Sequence, residues 1–311
     1  VGFKLILLSR MDIKQEAKSS HDYKDSKEDK SNVDGDTNEV LELLKQKIFN
    51  KTSSFSLFRN QVAGHFPLLW HSGTICKPLM PHEYTFYSTI SAKLPHFADF
   101  LPKFYGVIDL SSDSVKQSDG GDKSSRAAKH NSWARKCHVR KSKVLGLDTD
   151  DFVQYIVLED LTYAYKRPCV LDLKVGTQQH GLNESSVKVA SKMKKCKNTT
   201  SSSLGLRMCG MQVHRPLKSA YSCRDKYWGR TLTDAGFVSS LRRFLSNGFD
   251  VRVEVIDAFI ERVQQLRATI AAERRCRFYS SSVLLVYEGF VSGEQEGRLS
   301  TTTTTTTTTT T

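Results

Sequence analysis

Apolar and polar positions fall into ordered periods in two stretches of the chain, residues 38–110 and 152–289, and into none in the polar runs around them. In the first stretch, QVAGHFPLLWHSGTICKPL alternates around turn residues at Gly64 and at His71, Ser72 and Gly73, which predicts a twisted antiparallel sheet. A short helix precedes it. Pro81 suits a first helical position, and the helix it opens turns Phe86, Tyr87 and Ile90 inward. Further strands are predicted at 104–108 and, past an interruption, in FVQYIVLEDL, which ends at Glu159 and Asp160.

The second stretch carries longer helices. Thr233 caps one whose Phe237, Leu241, Phe244 and Leu245 face inward and which stops near Gly248. From Val253 onward Ile256, Ile260, Val263, Leu266 and Ile270 recur at helical spacing, a stripe assigned to the core. FYSSSVLLVYEG, residues 278–289, reads as a buried strand closed by a glycine turn. A small sheet lobe, a hinge and a larger mixed lobe is an architecture that suits a nucleotide held in the crevice between lobes.

The segment PCVLDLKVGTQQHG, residues 168–181, departs from simple patterning. On a strand, Asp172 and Lys174 emerge on one side with Val170, while Leu171, Leu173 and Val175 face the core. Spacing alone leaves two readings, a site wall or a surface ion pair worth about 0–1 kcal/mol. After it, Asn183 suits a helix cap, and the helix carries Lys188, Lys192 and Lys195 at i, i+4 and i+7. Val189, Met193 and Cys196 share another face, so this helix is expected to pack while presenting a basic stripe. Lys194, Lys197 and Arg207 add local positive charge, and a polyphosphate is the ligand such a stripe fits. A solvated helix face is the alternative.

In the first lobe, Lys77 is either a solvent-facing lysine or a crevice lysine meeting nucleotide phosphates, with Glu83 one turn into the next helix placed to hold its ammonium. Glu159, Asp160 and Leu161 end that lobe, where a linker's backbone can pair with an adenine edge.

Composition narrows the partners. Lys and Arg number 46 against 33 Asp and Glu, a formal charge of +13 in 311 residues, so anions are attracted at long range. Seven cysteines without a CxxC pair or zinc spacing point to reduced thiols, no structural metal, and a cytoplasmic or nuclear home. No GxGxxG, GxxxxGK[ST], HRD or DFG occurs, and the basic–aromatic alternation of a single-strand nucleic-acid groove is missing. A duplex-binding role is the weaker competitor, and no membrane partner is expected. The opening VGFKLILLSR is too short to span a membrane and lacks an initiator Met, the mark of a fragment or a ragged start, with Met11 as candidate first residue. Residues 1–37 are expected to be disordered, 111–150 to be a disordered basic insert, and 290–311, ending in eleven threonines, a low-complexity tail.

Taken together, PCVLDLKVG, QVAGHF, CKPLMPHEYTFY, LPKFYGV, LEDL, TTSSSLGLRMCGMQV, DKYWGR and FYSSSVLLVYEG resemble, in order, the inositol polyphosphate kinases, most of all their inositol hexakisphosphate kinase branch. The first fits the signature PxxxDxKxG. The resemblance implies an α+β, two-lobed kinase-like fold of the SAICAR-synthase type. Its N-lobe, 38–165, has an antiparallel sheet, and its C-lobe, 166–289, is larger and mixed. It implies transfer of the γ-phosphoryl group of ATP, with Mg2+, to an inositol polyphosphate, inositol hexakisphosphate above others, giving a diphosphoinositol phosphate. An inositol tris/tetrakisphosphate multikinase and a non-catalytic inositol-phosphate binder are the alternatives. By the same resemblance Lys77 binds ATP phosphates, Glu159, Asp160 and Leu161 hold adenine, and Asp172 contacts ribose or acceptor. Lys174 bridges acceptor and γ-phosphate, and Lys188, Lys192, Lys195 and Arg207 read the substrate. Two departures stand out: the family's SSLL is Ser281, Ser282, Val283, Leu284 here, and the Ile-Asp-Phe block that holds magnesium does not follow Gly289. That second departure implies binding with poor turnover.

Overall fold

The alternation around Gly64 and Gly73 does build a sheet, and a second sheet lies behind it. In the computed structural model the described residues are 3–13, 35–49, 55–64, 66–110, 153–181 and 184–289. The expectations for 111–150 and 290–311 lie outside them.

The first sheet contains β2 (Ser56–Leu57), β3 (Leu69–His71), β4 (Thr74–Pro78), β5 (Phe104–Leu110) and β6 (Val153–Glu159) in the order β2-β3-β4-β6-β5, all antiparallel. The β3–β4 hairpin turns through Ser72 and Gly73, whose φ values of 45° and 78° are the pair of positive angles that matches strand twist in a two-residue loop. The second sheet contains β1 (Phe3–Ile13), β7 (Pro168–Val175), β8 (Leu206–Arg215), β9 (Ala220–Arg224) and β10 (Cys276–Glu288) in the order β1-β10-β7-β8-β9, also antiparallel. The helices are α1 (Gly35–Phe49), α2 (Pro81–Lys93), α3 (Ser186–Lys197), α4 (Lys226–Gly229), α5 (Asp234–Phe244) and α6 (Val253–Ala272). The architecture is α+β, two five-stranded antiparallel sheets with the helices packed around them.

β6 shows how period two serves two cores. Ile156 and Leu158 join a cluster that also contains Phe86, Tyr87 and Ile90 of α2, Leu171 and Leu173 of β7, and Met208 and Met211 of β8. Tyr155 and Val157, on the opposite face, pack with Leu44 of α1, Leu69 and Cys76. The larger cluster therefore runs from one sheet into the other, so the lobes share a core.

Three expectations are corrected. The N-terminal segment is not wholly without structure: Phe3–Ile13 is an edge strand paired antiparallel to β10, because its apolar run completes a sheet edge that local composition cannot reveal. α3 begins after Ser185, two residues beyond Asn183, which lies outside the described residues. On α3 only Cys196 is buried, its thiol donating to the Thr177 carbonyl at 2.8 Å, while Met193 is exposed. The third concerns α6, whose inward residues are Val255, Phe259 and Leu266, with Ile260, Val263 and Ile270 exposed. α5 does follow its pattern, with Thr233 accepting from the Gly236 amide and Phe237 and Phe244 buried.

Candidate functional site

β7 is buried on both faces at its start and opens toward its end. Leu171 and Leu173 enter the shared core, Val170 is covered on the other face, and Asp172, Lys174 and Val175 are half-buried. Asp172 pairs in register with Leu284 on one side and Gly210 on the other, and Lys174 with Ser282 and Arg207. Cys209 is an extra residue between those last two positions on β8. The bulge sets Arg207 beside Lys174.

The Asp172 carboxylate accepts from the Ser282 hydroxyl, yet its Oδ1 is buried with no hydrogen-bond partner. Burial pushes its pKa up, against the pull of Lys174, Lys77 and Arg207. Lys77 belongs to the first sheet, and its charge is near enough to Asp172 to favour the carboxylate across the two sheets. Its ammonium donates to Glu83 Oε1 at 2.7 Å, and Glu83 Oε2 is buried without a partner.

Lys174 donates to the Ser280 carbonyl, and Ser280 is a knot in this region. Its hydroxyl donates to the Gln179 carbonyl and accepts from Lys192 at 3.3 Å, and Lys192 also pairs with Glu184. Ser280 has φ of 53°, in the middle of β10 where that strand bulges against β1, a backbone state that costs a non-glycine residue about 1–2 kcal/mol. Arg207 is 7% exposed, and its guanidinium donates to Gln179 Oε1 at 3.0 Å, Thr199 Oγ1 at 3.3 Å and Ser201 Oγ at 3.4 Å. All three acceptors are neutral. Lys195 is exposed, and partial desolvation followed by the nearby charges of Arg230, Arg207 and Lys192 lowers its proton affinity. Among the described residues the guanidinium makes no ion pair, and Asp172 and Glu184 are the carboxylates near this group of cations.

The remaining candidates divide. Lys188 is exposed on the first turn of α3, one turn before Lys192. The Asp160 carboxylate accepts from Trp70 Nε1 at 2.9 Å and from the amide and hydroxyl of Thr162 at 2.8 and 2.7 Å, so its side chain shapes the turn. Glu159 accepts from Lys4 of β1. The amides of Glu159 and Asp160 donate to the carbonyls of Lys103 and Gly73, so both are used within the fold, and Leu161 is buried. Gln179, Thr199, Ser201, Glu184 and Ser280 escaped the sequence reading, since single polar residues in loops carry no periodic signal; the serine triplet 280–282 within an apolar run was the visible hint. Among the described residues no group of three or more His, Cys, Asp or Glu stands together to hold a metal.

A model of the inositol polyphosphate kinase family matches residues 155–304. Human inositol hexakisphosphate kinase 1 is 29% identical over 316 residues, spanning 75% of this chain and 71% of that protein. Mouse inositol hexakisphosphate kinase 3 is 42% identical over 161 residues, 51% of this chain and 41% of its own length. Among solved structures, the inositol phosphate multikinase Ipk2 of S. cerevisiae, in complex with ADP and Mn2+, superposes with a TM-score of 0.51 at 25% identity, over 70% of this chain and 76% of that one. By these matches the chain is similar to the inositol polyphosphate kinases, the family match covering a little under half of it. Its curated relatives named here are hexakisphosphate kinases, so it is with that branch that the sequence aligns.

Proposed function

We propose that the protein transfers the γ-phosphoryl group of ATP to inositol hexakisphosphate, forming a diphosphoinositol phosphate. The observation that carries this reading is the buried Arg207, whose guanidinium donates to the neutral oxygens of Gln179, Thr199 and Ser201, beside its register partner Lys174 and near Lys192 and Lys195. A ligand with many phosphates supplies the missing negative charge, and each charge-assisted bond to it is stronger than a neutral one. Lys77, fixed by Glu83, approaches the same place from the first sheet and is assigned the nucleotide phosphates. Lys174, between Lys77 and the basic cluster, neutralises the oxygens that pass from donor to acceptor. Phosphoryl transfer asks a protein mostly for position and charge, and the acceptor phosphate needs little base assistance. Asp172 is thus a positioning group. A divalent ion, magnesium in our reading, neutralises nucleotide phosphates when bound; Asp172 Oδ1, buried and unpartnered, is the oxygen that would hold it, since such ions take one or two carboxylates with phosphate and water completing the shell.

The test is incubation of the full chain with ATP, Mg2+ and inositol hexakisphosphate, with products separated by charge. A more acidic product is expected, and Lys174→Ala is expected to cut its rate about 10²–10³-fold with the fold intact. Unchanged turnover in that variant would remove Lys174 from its role. The solved neighbour, a multikinase, gives a second reading, in which tris- and tetrakisphosphates are phosphorylated and hexakisphosphate is not. Tight hexakisphosphate binding with no product from any of them would leave only a binding protein.

A further inference from the structure

Leu266 apart, most of the apolar stripe that periodicity assigned to the core is on the surface. Val253 is 60% exposed, Ile260 51%, Val263 46% and Ile270 36%, and Ile256 is half-buried between them. Isolated exposed apolar residues need no explanation, but these lie on one line. Their spacing along α6, with Arg267 included, is 3, 4, 3, 4, 3, the seam spacing of paired helices. α6 is 20 residues long, about 30 Å, and it is already held helical by Val255, Phe259 and Leu266 on its inward side. Pairing along the outer stripe therefore meets no helix-nucleation cost.

We propose that α6 pairs antiparallel with α6 of a second copy of this chain, making a two-fold dimer along this stripe. Charge selects both the occupant and the direction. In the antiparallel register Ile260 meets the partner's Val263, Val253 meets the partner's Ile270, and Arg267 meets the partner's Ile256, with its guanidinium beside the partner's Asp257. Arg267 and Asp257 are both exposed, and among the described residues neither has an opposite charge within its own chain. Two-fold symmetry makes each such pair occur twice. A parallel pairing would instead set Arg267 against Arg267 and Asp257 against Asp257, which repel.

Sedimentation velocity of the full chain, from submicromolar to tens of micromolar, is the measurement. A reversible dimer is expected, and Ile260→Glu should weaken it at least about tenfold, since a carboxylate would be buried twice at the seam. Arg267→Asp and Asp257→Arg should each weaken it, and the double variant should recover the parent's association. All of these positions face outward, and unchanged circular dichroism, with an unchanged melting temperature at a concentration low enough for the parent to be monomeric too, would show the variants folded. A parent that stays monomeric overturns the proposal, as does a dimer indifferent to Ile260→Glu. A double variant as weak as the single ones removes the antiparallel register. A monomeric parent whose melting temperature falls in Ile260→Glu would mean that the stripe is covered from within the chain, which also overturns the pairing.

Discussion

Asp172→Asn is expected to melt a few degrees higher than the parent while losing phosphoryl transfer about 10²-fold or more. The two effects have one origin. Asp172 is a carboxylate with a buried, unpartnered oxygen, and burial raises its pKa more than Lys174, Lys77 and Arg207 lower it. An amide of the same shape removes the desolvated charge, whose cost for a buried unsatisfied group is about 1–3 kcal/mol. Neither neighbouring cation is orphaned by the change: Lys174 keeps the Ser280 carbonyl, and Arg207 keeps three neutral oxygens. The pH dependence follows from the direction of the shift. Because the folded pKa lies above the unfolded one, the folded state retains a proton that the unfolded state has released, so stability falls as pH rises from the ordinary carboxylate value through the folded pKa. Below that window parent and variant should differ least. Melting curves across pH check it: a gap that opens in the variant's favour with rising pH supports the assignment, and a variant less stable at neutral pH would show that the ion pairs outweigh burial.

Gly210→Ala is expected to separate the segment around Val62 from the second sheet. A Cβ at Gly210 would stand 2.0 Å from the Val62 carbonyl oxygen and 2.6 Å from its carbon, main-chain atoms with no flexible end to move aside. The overlap costs about 1–3 kcal/mol or more, as overpacking does in a filled interior. The same segment holds Asn60, which donates to Thr162 Oγ1 at 2.9 Å and accepts from Gln212 of β8 at 3.0 Å, so displacement also breaks a polar bridge between the sheets. Gly210 is the register partner of Asp172, which places the damage directly over the proposed transfer site. Thermal unfolding should fall by several degrees, and hydrogen exchange should rise at the Phe58 and Leu68 amides, which bond to the Leu68 carbonyl and Gln61 Oε1. Parent-like exchange at those two amides would show that the sheets adjust in some other way.

Much of this was readable from the chain alone where a residue's environment repeats with its own element. Phe86, Tyr87 and Ile90 on α2, Phe237 and Phe244 on α5, and the period-two run around Ser72 and Gly73 behave as their spacing predicts, because each is satisfied by one face of one helix or strand. The same-side placement of Asp172 and Lys174 follows from strand geometry for the same reason. The motifs of residues 168–176 and 278–289 sufficed to point to the family.

Direction along a helix surface was another matter. α6 has two apolar lines, and periodicity cannot say which one the sheet will cover; the neighbouring Phe244 and Tyr287 rings meet Phe259, which fixes Val255, Phe259 and Leu266 as the inward set. On α3 the packing through Cys196 leaves Met193 in solvent. Strand pairing at the sheet edge set β1 beside β10, since antiparallel partners need not be near in sequence. The charge that matters most chemically was decided the same way: whether Arg207 is a surface cation or a buried one depends on Gln179, Thr199 and Ser201 closing over it, and the proton affinity of Asp172 on its burial first, against which Lys174 and then Lys77 of the other sheet pull. Local spacing determines which side of an element a residue takes. Desolvation and the nearest opposite charge are properties of what packs against that side, and only the assembled sheets supply them.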